Sequence, residues 1–274
     1  MSFLENAKAR ALSTVRRGGR EIAWAPEWMN LGNLLFLGQW AFEGQAGGAD
    51  RKVLLHPKHE KTVGLFPRLR HDLFVTPANV RFLDQRVMPW SGQAEVERAA
   101  FTDAEAAGSY IREALLAGSP LATDRPDLED SWVVNVRRGD YYSVPENRAS
   151  FGMDQVTYVD LALQHLRATG PLPERIVVIS DELDWCRENL SLLLSPIALV
   201  VYEEGDVEHD LRALVHARRL VLPNSTFSYW GGYIGDVAHP GRDVVAPWFF
   251  SRTQDGGRAS QLRPHWTALT GDFY

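Results

Sequence analysis

Arg175-Ile-Val-Val-Ile-Ser180 is followed by Asp181-Glu182, an amphipathic run from Leu183 to Leu193, and then Ile197-Ala-Leu-Val-Val-Tyr202. The first run is apolar without alternation, as strands of a parallel sheet covered on both faces require. Ile197 to Tyr202 reads as a second buried strand of the same kind. A strand, a helix and a strand in about thirty residues form a parallel β-α-β unit. Outward from this unit the pattern repeats. Trp132 to Val136 reads as a strand and Gln155 to Arg167 as a helix. On the other side come a helix over Val207 to Ala217, a strand over Arg219 to Leu222, a helix over Ser225 to Ile234 and a short strand over Val244 to Ala246. The implied fold class is α/β with a doubly wound parallel sheet.

The first half of the chain is less regular. Glu21 to Ala25 reads as a strand, Pro26 to Asn33 as a turn, Leu34 to Gln45 as a helix and Val53 to His56 as a strand. Prolines at 57, 67, 77 and 89 obscure residues 57 to 100, and Asp103 to Leu116 reads as a helix. Gly118 to Asp130 holds two prolines and several acids and reads as a linker. Two Rossmann-like domains facing across a cleft are expected, residues 1–125 and 126–274.

The chain has 274 residues, 45% hydrophobic and 23% charged, which is the composition of a globular protein. The net charge of −6 argues against a general nucleic-acid partner, but leaves room for a local basic pocket holding one small phosphorylated ligand. Only four of the 29 cations are lysines, a skew that reads as coding bias of a GC-rich genome. The single cysteine, Cys186, allows neither an intrachain disulfide nor a cysteine metal cluster, so a reducing cytoplasm is the expected compartment. Lys8, Arg10, Arg16, Arg17 and Arg20 make the N-terminus basic, with no apolar core for a signal peptide. That segment is either a solvated helix or a peripheral contact with an anionic membrane surface.

Ligands of open parallel sheets bind at the carboxyl ends of the strands. Three polar segments follow the strands of the second half. Arg137 and Arg138, leading into Gly139-Asp140, suit a diphosphate that two guanidinium forks can grip, or else form a surface Arg–Asp pair. Ser180-Asp181 either contacts a base or ribose or caps the next helix. Asn224, Ser225, Thr226 and Phe227 stand between a strand and a helix, either as a plain N-cap or as an anion site at the helix start. Asp210 and Glu208 open another helix, as ligand contacts or as complements to its dipole. The aromatic group from Phe227 to Phe250 is expected to be mostly core, and His216, on an apolar helix face, structural. Gly32-Asn33 before the first long helix allows close approach to backbone N–H groups. No dinucleotide fingerprint, phosphate loop, nucleophile elbow or convincing metal constellation is found, so no cofactor is expected.

Taken together these segments resemble the alpha-1,2-fucosyltransferase family, glycosyltransferase family 11. Trp132-Val-Val-Asn-Val-Arg-Arg-Gly-Asp-Tyr141 is similar to the family's His-x-Arg-Arg-x-Asp segment. Val178-Ile-Ser-Asp-Glu-Leu-Asp-Trp-Cys-Arg187 resembles its Ser-Asp-x-x-x-Trp-Cys-Lys segment. Asp210-Leu-Arg-Ala-Leu214 with Leu222-Pro-Asn-Ser-Thr-Phe-Ser-Tyr-Trp-Gly231 resembles its Asn-Ser-Thr-Phe-Ser-Trp-Trp segment. Val245-Ala-Pro-Trp-Phe249 is similar to the closing strand, and Leu31-Gly-Asn-Leu-Leu-Phe36 is a weaker echo of the Gly-Leu-Gly-Asn-Gln-Met-Phe opening. About half of the chain is covered, and residues 43 to 125 hardly at all.

The resemblance implies a GT-B architecture and inverting transfer of L-fucose from GDP-fucose to a glycan or glycolipid, without a required metal. The acceptor would sit with the N-terminal domain and the donor with the C-terminal one. Arg137 and Arg138 would meet the diphosphate, and Asn33 would lie near the reaction centre. Asn135, Asp140, Ser180, Asp181, Asp210 and the segment Asn224 to Phe227 would contact substrate. Asn135 replaces the family's histidine, and Leu34 its glutamine. Both changes fall on the acceptor side. Other readings keep the fold with another GDP-sugar or linkage, such as an alpha-1,6-type relative, or make the chain a non-catalytic nucleotide-sugar-binding protein.

Overall fold

The computed structural model describes residue 12 and residues 14–16, 18–89 and 104–274. Lys8, Arg10, Arg17 and Asp103, named above, lie outside the described residues. Two compact units are present, Met1–Ser119 and Pro120–Tyr274.

The first unit carries a four-stranded, all-parallel sheet of order β3-β2-β1-β4, made of Glu21–Ala23 (β1), Arg51–Leu54 (β2), Phe74–Val75 (β3) and Gln85–Val87 (β4). Helix α1 (Leu31–Ala46) buries Leu34, Leu35, Leu37 and Ala41. It begins three residues before the position expected from the sequence. Asn30 is extended and its carbonyl accepts from the Leu34 N–H, so Gly32 and Asn33 lie inside the first turn. A glycine and an asparagine are tolerated there because first-turn N–H groups have no intrahelical partner to lose. The proline-punctuated stretch holds two short helices, α2 (Glu60–Val63) and α3 (Pro67–Asp72), and strands β3 and β4. These strands are two and three residues long, too short for periodicity to register. Helix α4 (Ala104–Tyr110) continues as a π-helical stretch over Ile111–Leu116. The buried Tyr110 hydroxyl donates to the Leu35 carbonyl at 2.9 Å. A Cβ at Gly38 would lie 2.5 Å from that hydroxyl, so the approach requires glycine.

The second unit carries a six-stranded, all-parallel sheet of order β10-β9-β8-β5-β6-β7. Its strands are Ser131–Val136 (β5), Arg175–Ser180 (β6), Leu199–Tyr202 (β7), Arg219–Val221 (β8), Asp243–Pro247 (β9) and Thr267–Leu269 (β10). Two short helices, α5 (Gly139–Ser143) and α6 (Pro145–Phe151), follow β5. The longer helices are α7 (Gln155–Thr169), α8 (Leu183–Leu194), α9 (Val207–His216) and α10 (Thr226–Ala238). From β5 the chain builds outward through β6 to β7, then returns to the other side of β5 as β8, β9 and β10. This is the doubly wound order, and its switch point lies between β5 and β8.

Alternate strand residues point to opposite faces. Trp132, Val134, Ile176 and Val178 join the core beneath α7 and α8, with Val159, Leu163, Leu166 and Leu190. Val133, Val177 and Leu220 are equally buried on the other face, where α9 and α10 pack. A Cβ at Gly231 of α10 would lie 2.5 Å from the Leu214 side chain of α9. The expectation of a buried strand over Ile197 to Tyr202 is corrected. Its paired part, β7, is the sheet edge, with Leu199 69% exposed and the rest half-buried. Hydrophobicity alone does not distinguish an edge from a centre, because β-branched residues suit both.

Arg242, just before β9, is the most heavily engaged side chain of this unit. Its buried guanidinium pairs with Asp236 at 3.1 Å and donates to the carbonyls of Leu214, Val215 and Ala217 at the end of α9. It also donates to Gly231 and Gly232 of α10. Carbonyls at a helix end lack intrahelical partners, and here a buried cation supplies them. Arg242→Ala is expected to destabilise the protein by about 3–5 kcal/mol, because it leaves a carboxylate and several buried carbonyls unpaired. Urea unfolding measures this, and an unchanged midpoint would contradict it.

Candidate functional site

The site is built at the carboxyl edge of the six-stranded sheet, beginning where β5 ends. Arg137 is held by Asp181 (Nη1 to Oδ2, 2.6 Å) and by Asp140, three residues on. The Arg138 backbone N–H donates to the other Asp181 oxygen at 2.9 Å. One carboxylate at the end of β6 therefore fixes both residues that follow β5. Gly139 has φ +28, and a Cβ there would lie 2.5 Å from Asp181 Oδ2. The turn requires glycine for both reasons.

Arg138 is clamped more completely. Its guanidinium lies between two rings, with the central carbon 4.1 Å from the Tyr142 centroid and 3.9 Å from that of Trp185. Nε donates to Glu182 at 3.0 Å and Nη1 to Gln155 at 3.4 Å. Gln155 in turn donates to the Arg137 carbonyl at 2.5 Å, and the Tyr142 hydroxyl donates to Met153 O at 2.7 Å. Among the described residues, Nη2 of Arg138 has no hydrogen-bond partner. A cation held over two rings and by two hydrogen bonds keeps its remaining donors fixed in direction.

Asn135 and Asn224 serve the frame. Asn135, next to last in β5, donates through Nδ2 to Ile179 O at 3.0 Å and accepts from Ser228 Oγ at 2.6 Å. It joins β6 to α10 across the switch point. Asn224 is fully buried and donates to the carbonyls of Phe151 and Phe250 at 2.9 and 2.8 Å, while its Oδ1 has no partner among the described residues. Neither Asn224 nor Ser225 caps α10 with its side chain. The N-cap reading is therefore corrected: Asn224 is drawn into the core by two carbonyls. Among the described residues, no side chain accepts from the first-turn N–H groups of α10, beside the half-buried Thr226 and Phe227, the arrangement that favours an anion.

Ser180 ends β6, and its hydroxyl accepts from the Glu182 N–H at 3.0 Å. The neighbouring Cys186 thiol is pushed up to about 11 by burial, which keeps it protonated and unreactive. At the start of α9, the cap is Asp206, which accepts from the Glu208 and His209 N–H groups at 3.1 and 3.2 Å. Asp210 has a different role. Burial pushes its carboxyl up, the nearby Asp206 and Asp181 push the same way, and His209 at 3.3 Å opposes them.

The second unit thus gathers Arg137, Arg138, Asp140, Ser180, Asp181, Asp210 and the segment 224–227 on one edge. Asn33 belongs to the first unit, where its Oδ1 is buried without a partner among the described residues. Tyr142 and Gln155 were not singled out by sequence reasoning, and Glu182 and Trp185 entered it only as members of the segment after β6, with no role of their own. Trp185 had a signal, since it lies in the first turn of the helix that follows Ser180-Asp181.

A family model for glycosyl transferase family 11 matches residues 111–268, more than half of the chain. The chain belongs to glycosyl transferase family 11. All four resembling segments of the second half fall within that range, whereas Leu31 to Phe36 falls outside it. An alpha-1,2-colitosyltransferase of Escherichia coli is 27% identical over 122 residues, covering 42% of this chain and 40% of the relative. A galactoside alpha-(1,2)-fucosyltransferase 1 of Sus scrofa is 28% identical over 157 residues, 56% and 42% of the two chains. The chain spans less than half the length of these curated relatives. Among solved structures, the E. coli heptosyltransferase WaaC with ADP aligns over 93% of this chain and 94% of its own, with 12% identity and a TM-score of 0.42. POFUT1 in complex with GDP aligns over 90% and 79%, with 16% identity and a TM-score of 0.33. No helix of the described residues is long and apolar enough to cross a membrane.

Asp210 gives this edge a measurable signature. Its folded pKa is raised, so the folded state holds the proton more tightly than the unfolded chain, whose aspartates titrate near about 3.9. Its contribution to stability is therefore full below that value and lost as pH rises through the folded pKa. Asp210→Asn is expected to raise the melting temperature at pH 7, with the gain shrinking towards pH 4. A variant less stable than wild type at pH 7 would contradict this.

Proposed function

We propose that this family 11 chain is an inverting glycosyltransferase. It moves L-fucose from GDP-fucose to a hydroxyl of a glycan or glycolipid, in alpha-1,2 linkage. The observation that carries the reading is the Arg137–Arg138 pair at the switch point of the sheet, beside the uncapped start of α10. In this reading the second unit binds the GDP-sugar and the first receives the acceptor, in the GT-B arrangement.

Transfer breaks the bond between the anomeric carbon and the β-phosphate oxygen, and negative charge collects on the departing GDP. Two arginines fixed in advance meet that charge without reorganising, an effect worth about 3–4 kcal/mol per donor in comparable sites. Arg138 offers Nη2, and the first turn of α10 offers its N–H groups and dipole. Asp140, Asp181 and Glu182 aim the cations. Ser180, Asp181 and Asp210 are the groups assigned to base and ribose. Asn135 is assigned to the frame behind the diphosphate, as its two internal bonds support. Inversion follows when the acceptor hydroxyl attacks the face opposite the phosphate while a base takes its proton. Asn33, with its buried unpartnered oxygen, is the residue of the first unit assigned to the acceptor side. The cytoplasm is the compartment that suits this reading, with the basic N-terminal sequence as a means of reaching an anionic membrane surface.

The similarity to an alpha-1,2-colitosyltransferase favours one second reading, transfer of a colitosyl group through the same site. Calorimetric titration with GDP, UDP and ADP, without added divalent metal, tests the donor assignment. Selective GDP binding is expected, and equal binding of all three would overturn it. Arg138→Ala is expected to weaken GDP binding tenfold or more, on the order of 1.5–3 kcal/mol for a charged hydrogen bond. Unchanged affinity in the folded variant would remove the diphosphate role. Turnover of fucosyl against colitosyl donors then separates the two sugars.

A further inference from the structure

The amino-terminal edge of the second unit's sheet, opposite the donor edge, carries a cluster the proposed transfer does not use. Asp124 lies in the segment leading into β5, His216 is the last residue of α9, and His239 follows the last residue of α10. His216 Nδ1 is 2.8 Å from His239 Nε2 and 3.8 Å from Asp124 Oδ1, and the three atoms lie within 4.8 Å of one another. His216 is buried, and its Nε2 is 2.9 Å from the Leu121 carbonyl. A carbonyl only accepts, so Nε2 carries the proton and Nδ1 presents a lone pair to the cluster. Metal-binding imidazoles are held in this way, with the second nitrogen donating to a backbone carbonyl.

We propose that Asp124, His216 and His239 form a binding site for one divalent cation of the zinc class. The three protein ligands leave a coordination position open to water beside the exposed Asp124 carboxylate. Two imidazoles and one carboxylate suit zinc, cobalt or nickel, whereas magnesium and calcium prefer all-oxygen sets. Tetrahedral ligation at bonds of about 2.0–2.1 Å separates ligand atoms by roughly 3.4 Å. The two imidazoles therefore open by about half an ångström, and Asp124 closes by about half an ångström towards His216 and by up to about 1.4 Å towards His239, a movement its exposed side chain makes by χ rotation. Arg212 and Arg218 stand near the histidines and oppose the ion, which weakens its binding. The bound ion ties the segment entering the central strand to the ends of α9 and α10.

The competing arrangement is a plain hydrogen bond from His239 Nε2–H to His216 Nδ1, and the two make different predictions. Full-length protein stripped with chelator and dialysed is titrated with zinc chloride by calorimetry. One equivalent is expected to bind and raise the melting temperature, with magnesium chloride inert. Cobalt(II) is expected to give visible d–d bands of tetrahedral intensity. His239→Gln and Asp124→Asn lie outside the buried core and retain the fold by circular dichroism. Each is expected to weaken zinc binding tenfold or more and to abolish the thermal shift. Failure of the wild-type protein to take up an equivalent of zinc overturns the site. So does zinc binding that survives in both variants, which would point to His56 and His59.

Discussion

Everything in the second unit depends on a reversal of strand order. The chain leaves β5, winds to β7, crosses back and continues through β8 on the other flank. Right-handed crossovers then carry the connections to opposite faces, and the loops after β5 and β8 splay apart. A crevice is the necessary result. Asn135 of β5 and Ser228 of α10 are hydrogen-bonded to each other at this switch point. The proposed anion site and the frame that holds it are two sides of one topological event.

The two arginines show how such a site is stiffened. Exposed ion pairs contribute little to stability, because water and salt screen them and side-chain entropy opposes them. Their value here is directional. Asp181 divides its two oxygens between Arg137 and the backbone of Arg138, and two aromatic rings confine the Arg138 plane. The donors are therefore aimed before any ligand arrives. The cost appears in Asp210, whose burial beside other carboxylates raises its pKa. Strained electrostatics of this kind collect at functional sites.

The opposite edge is built on other terms. Arg242 gathers the carbonyl ends of α9 and the backbone of α10, and His216 and His239 close the same helices a few residues away. Charged and hydrogen-bonding side chains there finish helices and serve the frame. At the carboxyl edge Asn135 and Asn224 also serve the frame, while Asp181 holds Arg137 and the backbone of Arg138.

By itself the sequence determined the α/β class, the parallel pairing and the main helices. Unalternating apolar runs and 3.6-residue periodicity report burial directly, and the second unit is long enough in each element for both to register. Arg137, Arg138, Ser180, Asp181 and Asn224 to Phe227 were legible as strand-end segments because topology puts all strand ends of a parallel sheet on one side. The tertiary structure alone decided which polar groups face the crevice and which are spent on the frame. Asn224 reads as a cap, yet two distant carbonyls draw it inward. Ile197 to Tyr202 reads as a buried strand, yet among the described residues β7 pairs with β6 alone. Tyr142 and Trp185 reach Arg138 only because α5 and α8 start at adjacent strand ends. Each of these outcomes depends on a partner remote in the chain, and local composition carries no record of that partner.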